Sequence, residues 1–159
     1  ADAGGDYANA WTSTKFSIGA DSLTNTNTSQ YIAYCWHNVP GVQKFGYYKG
    51  VGNDNGSFID LGFRPAVVWV KCTSDSGQEW VVWDDSRSPS NEITTALYLN
   101  ANSTEATVGT TRKVDFLSNG FKLRNGSSGA TDYSSRTYIY MAWAESSFHN
   151  LYGGQSNAR

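Results

Sequence analysis

Short apolar runs rich in aromatic residues recur along this chain, and each run is bounded by Gly, Ser, Thr, Asn or Asp. The strongest runs lie at 31–37, 44–49, 66–72 and 137–144. Aromatic and β-branched side chains fit a pleated surface, and small polar residues form the turns between strands. No long stretch is rich in Ala, Leu, Glu and Lys, the residues that favour helices. The pattern therefore predicts an all-β chain.

Weaker strand signals lie between these runs, at 15–18, 58–61, 78–83, 95–99, 114–117 and 120–124. Their number and spacing predict an antiparallel β-sandwich of the jelly-roll or concanavalin-like type. Asn119-Gly120 between two apolar runs predicts a hairpin, because both residues tolerate positive φ. The continuous apolar run at 66–72 is typical of a strand covered on both faces. Residues 89–94 are expected to form one short helical turn.

Two segments, one near the start of the chain and one near its end, have similar sequences. Phe16 followed by a polar gap and the run 31–38 resembles Phe121 followed by a polar gap and the run 138–145. Similar strands within one sandwich would explain this, but the order strand, gap, strand favours a repeat. We therefore expect residues 1–40 to be the closing strands of a preceding repeat or an N-terminal extension, and 41–159 to be a complete sandwich module. A single compact domain is the alternative.

Charge and composition narrow the classes of partner. The 12 Lys and Arg residues are scattered and the net charge is −2, whereas a nucleic-acid binder usually carries a basic patch. The longest apolar run, 66–70, is too short to cross a bilayer. We therefore expect neither nucleic acid nor membrane as a partner. A first residue of Ala1 rather than Met suggests a processed chain or an excised fragment.

Metal and redox sites are not expected. Cys35 and Cys72 lie inside predicted strands, so free buried thiols are favoured over a disulfide. His37 and His149 lack a second ligand at metal spacing. Asp54 lies in a glycine-rich loop that falls short of a calcium motif and is expected to be a solvated turn. No cofactor is predicted.

Several longer motifs resemble a known module. They are YIAYCW at 31–36, VPG at 39–41, KFGYY at 44–48, GFRPA at 62–66, DFLSNGFKLR at 115–124 and YIYMAWAE at 138–145. Together they are similar to a module of tail-fibre and other virion structural proteins of marine and cyanobacterial phages. The resemblance covers about Phe16 to Phe148. It implies a non-enzymatic protein of the virion surface, commonly an oligomer and often arranged in tandem.

One segment has the composition of a glycan-binding site. A sugar would stack on Trp side chains while polar groups bond its hydroxyls. The residues that would do so are Trp80, Trp83, Asp84, Asp85, Arg87 and Asn91. The alternative is that both Trp side chains fill the core and the acids cap a turn.

An enzyme is not expected from these residues. Asp84 and Asp85 are neighbours on a strand and point to opposite faces, so they cannot face each other across a scissile bond. No spacing singles out another carboxylate as their partner.

Two functions remain. The first is a virion surface module, tail-fibre-like or a decoration protein, that assembles as a homo-oligomer, for example a trimer, with other virion proteins. The alternative is an adhesin module that recognises host-surface glycan. An exposed concave cluster of Trp80, Trp83, Tyr98 or Tyr133 would indicate glycan binding, whereas a flat apolar patch would indicate protein contact.

Overall fold

The computed structural model describes residues 10–107, 111–124 and 128–146, and strands are its regular elements. The strands are β1 (Ala10–Trp11), β2 (Phe16–Ser17), β3 (Gln43–Lys49), β4 (Phe58–Asp60), β5 (Pro65–Cys72), β6 (Trp80–Asp84), β7 (Thr95–Tyr98), β8 (Ala106–Thr107), β9 (Val114–Leu117), β10 (Gly120–Leu123) and β11 (Thr137–Ala144). Within the described residues no helix is long and apolar enough to cross a membrane. The all-β prediction is confirmed.

The chain divides into two compact units, Ala1–Trp36 and His37–Arg159. In the first unit, β1 and β2 form a short antiparallel pair with Trp11 opposite Phe16. The backbone N–H of Thr12 donates to the carbonyl of Lys15 at 2.8 Å and closes the turn between them. The expected boundary at residue 40 stays a prediction.

The predicted strand at 31–37 is wrong. No strand is assigned to these residues, and the side chains of Ile32 and Tyr34 are 80 % and 74 % exposed. An apolar run favours a strand, but a strand also needs a neighbour for its N–H and C=O groups, and in described residues 10–36 only β1 and β2 pair. Cys35 is consequently an exposed free thiol, contrary to the expected burial, whereas Cys72 is free and buried as expected.

The second unit, called the body below, is built on a six-stranded sheet with the order β3-β11-β5-β6-β7-β8, called the large sheet. Its neighbouring strands are antiparallel. β5 and β11 are the longest strands, with eight residues each, and they lie side by side near the middle. The last strand of the body is thus inserted between the first and the third.

A three-stranded antiparallel sheet with the order β4-β10-β9, called the small sheet, packs on one face of the large sheet. β9 and β10 form the predicted hairpin, but Leu117 pairs with Gly120, so the turn residues are Ser118 and Asn119. Gly120 is the first residue of β10 and pairs with Asp60 of β4. Two antiparallel sheets with a common core confirm the predicted antiparallel β-sandwich.

Aromatic rings join the two sheets. The ring of Phe121 in the small sheet meets Tyr140 edge-on at 5.7 Å and Tyr48 at 6.4 Å, both in the large sheet. Tyr48 also stacks on Tyr138 at 5.1 Å. Edge-on and offset aromatic pairs add to the stabilisation from burial alone. The remaining core is largely aliphatic: Ile59, Leu61, Val68, Val70, Val81, Val114, Leu123 and their neighbours.

Asp132 organises the loop between β3 and β4 from inside the body. Its side chain is fully buried, and its carboxylate accepts hydrogen bonds from the backbone N–H of Val51 at 3.0 Å and the hydroxyl of Ser57 at 2.9 Å. A Cβ on Gly56 would lie 2.2 Å from a carboxylate oxygen of Asp132, so only glycine fits. The loop therefore closes around a buried carboxyl group.

Residues 89–94 do not form the expected helical turn. Ile93 instead bridges Val114 of β9: its N–H donates to the carbonyl of Val114 at 2.8 Å. Ile93 is 1 % exposed and belongs to the core. The segment thus has a core contact and a bridge to β9 in place of a helical turn.

Candidate functional site: the outer face of the large sheet

The large sheet has a second face, pointing away from the small sheet. Successive residues of a strand point to opposite faces. Tyr138, Tyr140 and Ala142 of β11 are buried, so Ile139, Met141 and Trp143, which alternate with them, point outward. The burial pattern of β11 alternates accordingly. We call this surface the outer face; its apolar members are Phe45, Tyr47, Val67, Trp69, Trp80, Val82, Leu97, Ile139, Met141 and Trp143.

Strand pairing places the outward residues in rows across the sheet. The central row runs from Phe45 through Met141, Trp69 and Val82 to Leu97, each directly opposite the next. Cross-strand pairs of this kind are the unit of sheet stabilisation. The row crosses five strands with five apolar side chains and no polar residue, so it forms a flat apolar stripe.

Trp143 anchors the next row and contacts the central one. Its ring meets Trp69 at 5.1 Å and Phe45 at 5.8 Å, both edge-on. Through these contacts Phe45, Trp69 and Trp143 cover one another sideways, and all three are half-buried. No described strand of the body lies on top of them.

The row on the other side of the stripe is less apolar. Tyr47 at its end is 75 % exposed, and Ile139, Lys71 and Trp80 follow in register. The ammonium of Lys71 donates to the carbonyl of Gln78, so its charge is turned toward the protein.

Asp84 is the acidic member of the outer face and is compensated locally. Its carboxylate forms an ion pair with Arg87 and accepts a hydrogen bond from the backbone N–H of Arg87 at 2.9 Å. Burial raises the pKa of Asp84, but the hydrogen bonds and charge of Arg87 outweigh it and the net pKa is lowered. The carboxylate therefore stays ionised and paired, and it caps the turn after β6.

The two Trp residues of the predicted glycan site lie on opposite faces. Trp83 is fully buried in the core, and its indole N–H donates to the carbonyl of Arg112 at 2.9 Å. No sugar can stack on a ring in that position. Trp80 is half-buried on the outer face. The structure therefore separates the two rings that the sequence interpretation had combined.

The remaining predicted site residues are also separated. Asn91 holds β9 in place: its amide oxygen accepts from the N–H of Phe116 at 2.9 Å and its NH₂ donates to the carbonyl of Phe116 at 3.0 Å. Asp85 follows β6 and its N–H donates to the carbonyl of Ala66 at 3.1 Å. Burial raises the pKa of Asp85, and the charge of Glu145 adds to the effect.

Only Asp84 and Arg87 of the predicted site contact each other directly in the described residues. Asp84 and Asp85 do not face each other, as alternation along a strand requires. Asp84 and Arg87 instead cap the turn after β6, and Asn91 holds β9 through its two hydrogen bonds to Phe116. Glycan binding by these residues stays a prediction.

Sequence reasoning missed the outer face as a site. The local pattern indicates only that Phe45, Trp69, Met141 and Trp143 are strand residues, and it predicts that the strand at 66–72 is covered on both faces. Val68, Val70 and Cys72 are indeed buried, but Val67, Trp69 and Lys71 are only half-buried. The sequence feature that indicates this surface is a second set of apolar residues in β5 and β11, on the face opposite the core. When both faces of a strand are apolar, the second face is a candidate contact surface.

The small sheet offers a contrasting outward face. Phe58, Asp60 and Lys122 point outward there, and Phe58 pairs directly with Lys122. One exposed apolar residue beside charged neighbours is normal for a solvated surface. The two outward faces of the sandwich therefore differ in kind, and the apolar one is the candidate site.

The described residues contain no group of three or more His, Cys, Asp or Glu side chains arranged to hold a metal ion.

Comparison with curated proteins and with solved structures finds no match. A protein-family model described as a domain of unknown function, DUF7483, matches residues 2–147. The match spans nearly the whole chain, including both compact units. The chain is a member of the DUF7483 family.

Proposed function

We propose that this chain is a non-enzymatic assembly module and that the outer face of its large sheet binds the same face of a second copy. The observation that carries the proposal is the apolar stripe, in which Trp69 and Met141 are half-buried and Leu97 is 37 % exposed, while Val82 between them is 6 % exposed. A contiguous apolar patch at the surface of a soluble protein marks an interaction site, protein contact among them.

The charges of the outer face support a second copy as the partner. Lys71 is bonded to Gln78, and Asp84 is paired with Arg87. The stripe itself carries no charged side chain, so two like stripes meet without burying a charge, which would be costly. The ammonium of Lys71, bonded to a neutral carbonyl, lies in the row beside the stripe. The net charge of −2 adds little repulsion between copies.

The size of the face is sufficient for a weak dimer. Five strands about 4.8 Å apart give the face a width of about 24 Å, and its three rows together cover about 20 Å along the strand direction. The geometric area is therefore roughly 500 Å² for each copy. Two copies would bury about 1,000 Å², the lower limit for a specific interface. Sheets packed face to face lie about 10 Å apart with interdigitating side chains, which suits the Trp and Met side chains here.

The edges of the large sheet, β3 and β8, are less suitable contacts, and β8 has only two residues. The edge strand β3 is partly capped, because the N–H of Phe45 donates to the side-chain oxygen of Asn38 at 2.8 Å. Val39 bridges Gln43 at the start of the same strand. Lys44 and Lys49 add like charges, a common protection against edge pairing. Contact through the face is therefore favoured over pairing of two edges.

The resemblance to tail-fibre modules supports a place for this assembly on a virion surface, with other virion proteins as further partners. The trimer and the array considered from the sequence stay predictions. Face-to-face packing of two copies is the smallest assembly that covers the apolar stripe.

Glycan recognition is the second candidate, and one observation favours it. Tyr133 is 45 % exposed, and the guanidinium of Arg136 lies 4.5 Å from its ring centre. The guanidinium lies over one face of the ring, so a sugar would stack on the other face, with Arg136 as a nearby donor. A glycan array probed with the full chain and with Tyr133→Ala tests this candidate, which requires binding that the variant loses.

Fluorine NMR of the chain labelled with 5-fluorotryptophan tests the assembly proposal residue by residue. Raising the protein concentration should shift the resonances of Trp69 and Trp143, which lie on the outer face. The resonance of Trp83 should stay unchanged, because its ring is already in the core. Single Trp→Phe variants assign the signals. Unchanged Trp69 and Trp143 resonances over the whole concentration range would refute contact through this face.

A further inference from the structure

A cleft opens at the edge of the sandwich, on the core side of β3 and apart from the outer face. It has a volume of about 210 Å³ and is lined by Asn38, Val39, Pro40, Gln43, Lys44, Leu61 and Phe63. We call it the edge cleft. Its residues come from the segment that leads into β3, from the first two residues of β3 and from the loop after β4.

The base of the edge cleft is apolar and fixed. Leu61 and Phe63 are 5 % and 1 % exposed and belong to the core. The N–H of Leu61 donates to the carbonyl of Asn119 at 2.7 Å, which ties this loop to the β9–β10 turn. A base held by core packing keeps its shape before a ligand arrives, and that lowers the entropic cost of binding.

The turn on the other side is also fixed. The N–H of Val39 donates to the carbonyl of Gln43 at 3.0 Å, and the N–H of Gln43 donates back to the carbonyl of Val39 at 3.0 Å. Pro40 lies within this turn, where its ring restricts the backbone further. The cleft is therefore bounded by two rigid loops.

Two side chains that line the edge cleft, Lys44 and Asn38, have donors available, whereas the NH₂ of Gln43 already donates to the carbonyl of His37 and leaves its amide oxygen as an acceptor. The ammonium of Lys44 donates to the carbonyl of Asp60 at 2.8 Å, and an ammonium has three donors in all. Among the described residues Lys44 forms no ion pair with a carboxylate. The side-chain oxygen of Asn38 already accepts a hydrogen bond from the backbone N–H of Phe45. The NH₂ group of Asn38 is therefore the part of this amide that can bond a ligand.

The geometry points to a binding site for a small carboxylate that carries one apolar ring or branched chain. An ionised carboxylate has acceptors only, which matches the donors of Lys44 and Asn38. An apolar cavity of about 150 Å³ is known to hold one benzene ring, so the edge cleft accommodates a single ring on a short stem. Larger ligands with several rings need cavities of about 300 Å³ or more.

This inference is independent of self-assembly, because the edge cleft and the outer face share only Gln43 at the margin of β3. The probe is 3-phenylpropionate, titrated into the ¹⁵N-labelled full chain while backbone amide shifts are followed. Shifts are expected at residues 38–44 and 61–63. The matched alcohol, 3-phenylpropanol, should bind about tenfold more weakly, since it lacks the charge-assisted bond to Lys44.

Two variants on one strand complete the test. Lys44→Gln should weaken binding of 3-phenylpropionate about tenfold, whereas Lys49→Gln removes the same charge from the same strand and should leave binding unchanged. Both substitutions are at partly or fully exposed positions, so the fold is preserved. The inference is overturned if the carboxylate and the alcohol bind equally, if the two variants weaken binding equally, or if no amide around the cleft shifts.

Discussion

A Cβ placed on Gly120 would lie 2.1 Å from the carbonyl oxygen of Ile59 on the neighbouring strand β4. The contact is with backbone, which cannot rotate away as a side chain would. Gly120 pairs with Asp60 and follows the turn of the β9–β10 hairpin. The glycine is thus needed for the close approach of β4 to β10, in addition to any role in the turn.

Gly120→Ala should therefore destabilise the body by about 3 kcal/mol, because β4 must move away from β10 to admit the methyl group. Gly77→Ala is the matched control: a Cβ there meets nothing within 4 Å, but φ is +73°. That backbone strain costs about 1 kcal/mol. Urea unfolding monitored by Trp fluorescence measures both, and equal losses would contradict the close approach.

The two Trp residues of β6 should respond differently to substitution. Trp83→Phe removes a buried indole and leaves the carbonyl of Arg112 without its donor, so the free energy of unfolding should fall by about 2 kcal/mol. Trp80→Phe keeps a ring on the half-buried outer face and should cost less than about 0.5 kcal/mol. Thermal unfolding by circular dichroism checks the difference. A larger loss of unfolding free energy for Trp80→Phe than for Trp83→Phe would contradict the placement of Trp83 in the core.

Asp132 should give the stability of the body an unusual pH dependence. Burial raises its pKa, and the hydrogen bonds from Val51 and Ser57 only partly oppose this. In the unfolded chain the carboxyl ionises at about pH 4. Between that value and the raised pKa, the folded state binds more protons than the unfolded state, so the contribution of Asp132 to stability falls as pH rises.

Asp132→Asn cannot ionise and should remove that component of the pH dependence. Asp54→Asn, in the exposed part of the loop that Asp132 closes, is the control and should leave it in place. Denaturant midpoints measured from about pH 4 upward test this. If Asp132→Asn kept the same slope as the unchanged chain, the buried carboxyl would not be its source.

The strands were predictable because local signals and long-range pairing agree for most of them. Alternation and turn residues at Asn119-Gly120 located β9 and β10, although the turn itself is one residue earlier because Gly120 is needed beside Ile59. The run at 31–37 shows the limit. Its apolar side chains favour a strand, but pairing depends on a partner elsewhere, and local sequence does not report it.

The candidate site was less predictable than the fold. The Trp80–Arg87 segment predicts a glycan-binding site because aromatic and charged residues are adjacent in sequence. Alternation along the strand, however, places Trp80 and Trp83 on opposite faces. The outer face is instead assembled from β3, β11, β5, β6 and β7, which are distant in sequence. The row that joins Phe45, Met141 and Trp69 exists only through strand order and register, neither of which local patterns determine.

The central claim is that the outer face binds a second copy, and the mass in solution tests it most directly. Light scattering on a sizing column, over a series of loading concentrations, should give a mass that rises above the 17.4 kDa of one chain. The double variant Tyr47→Lys, Leu97→Lys places charges at two exposed positions of the outer face and should elute as a monomer. Phe58→Lys, an exposed apolar residue on the small sheet, should associate like the unchanged chain. A mass of one chain at every concentration, or equal association of the double variant, would contradict the claim.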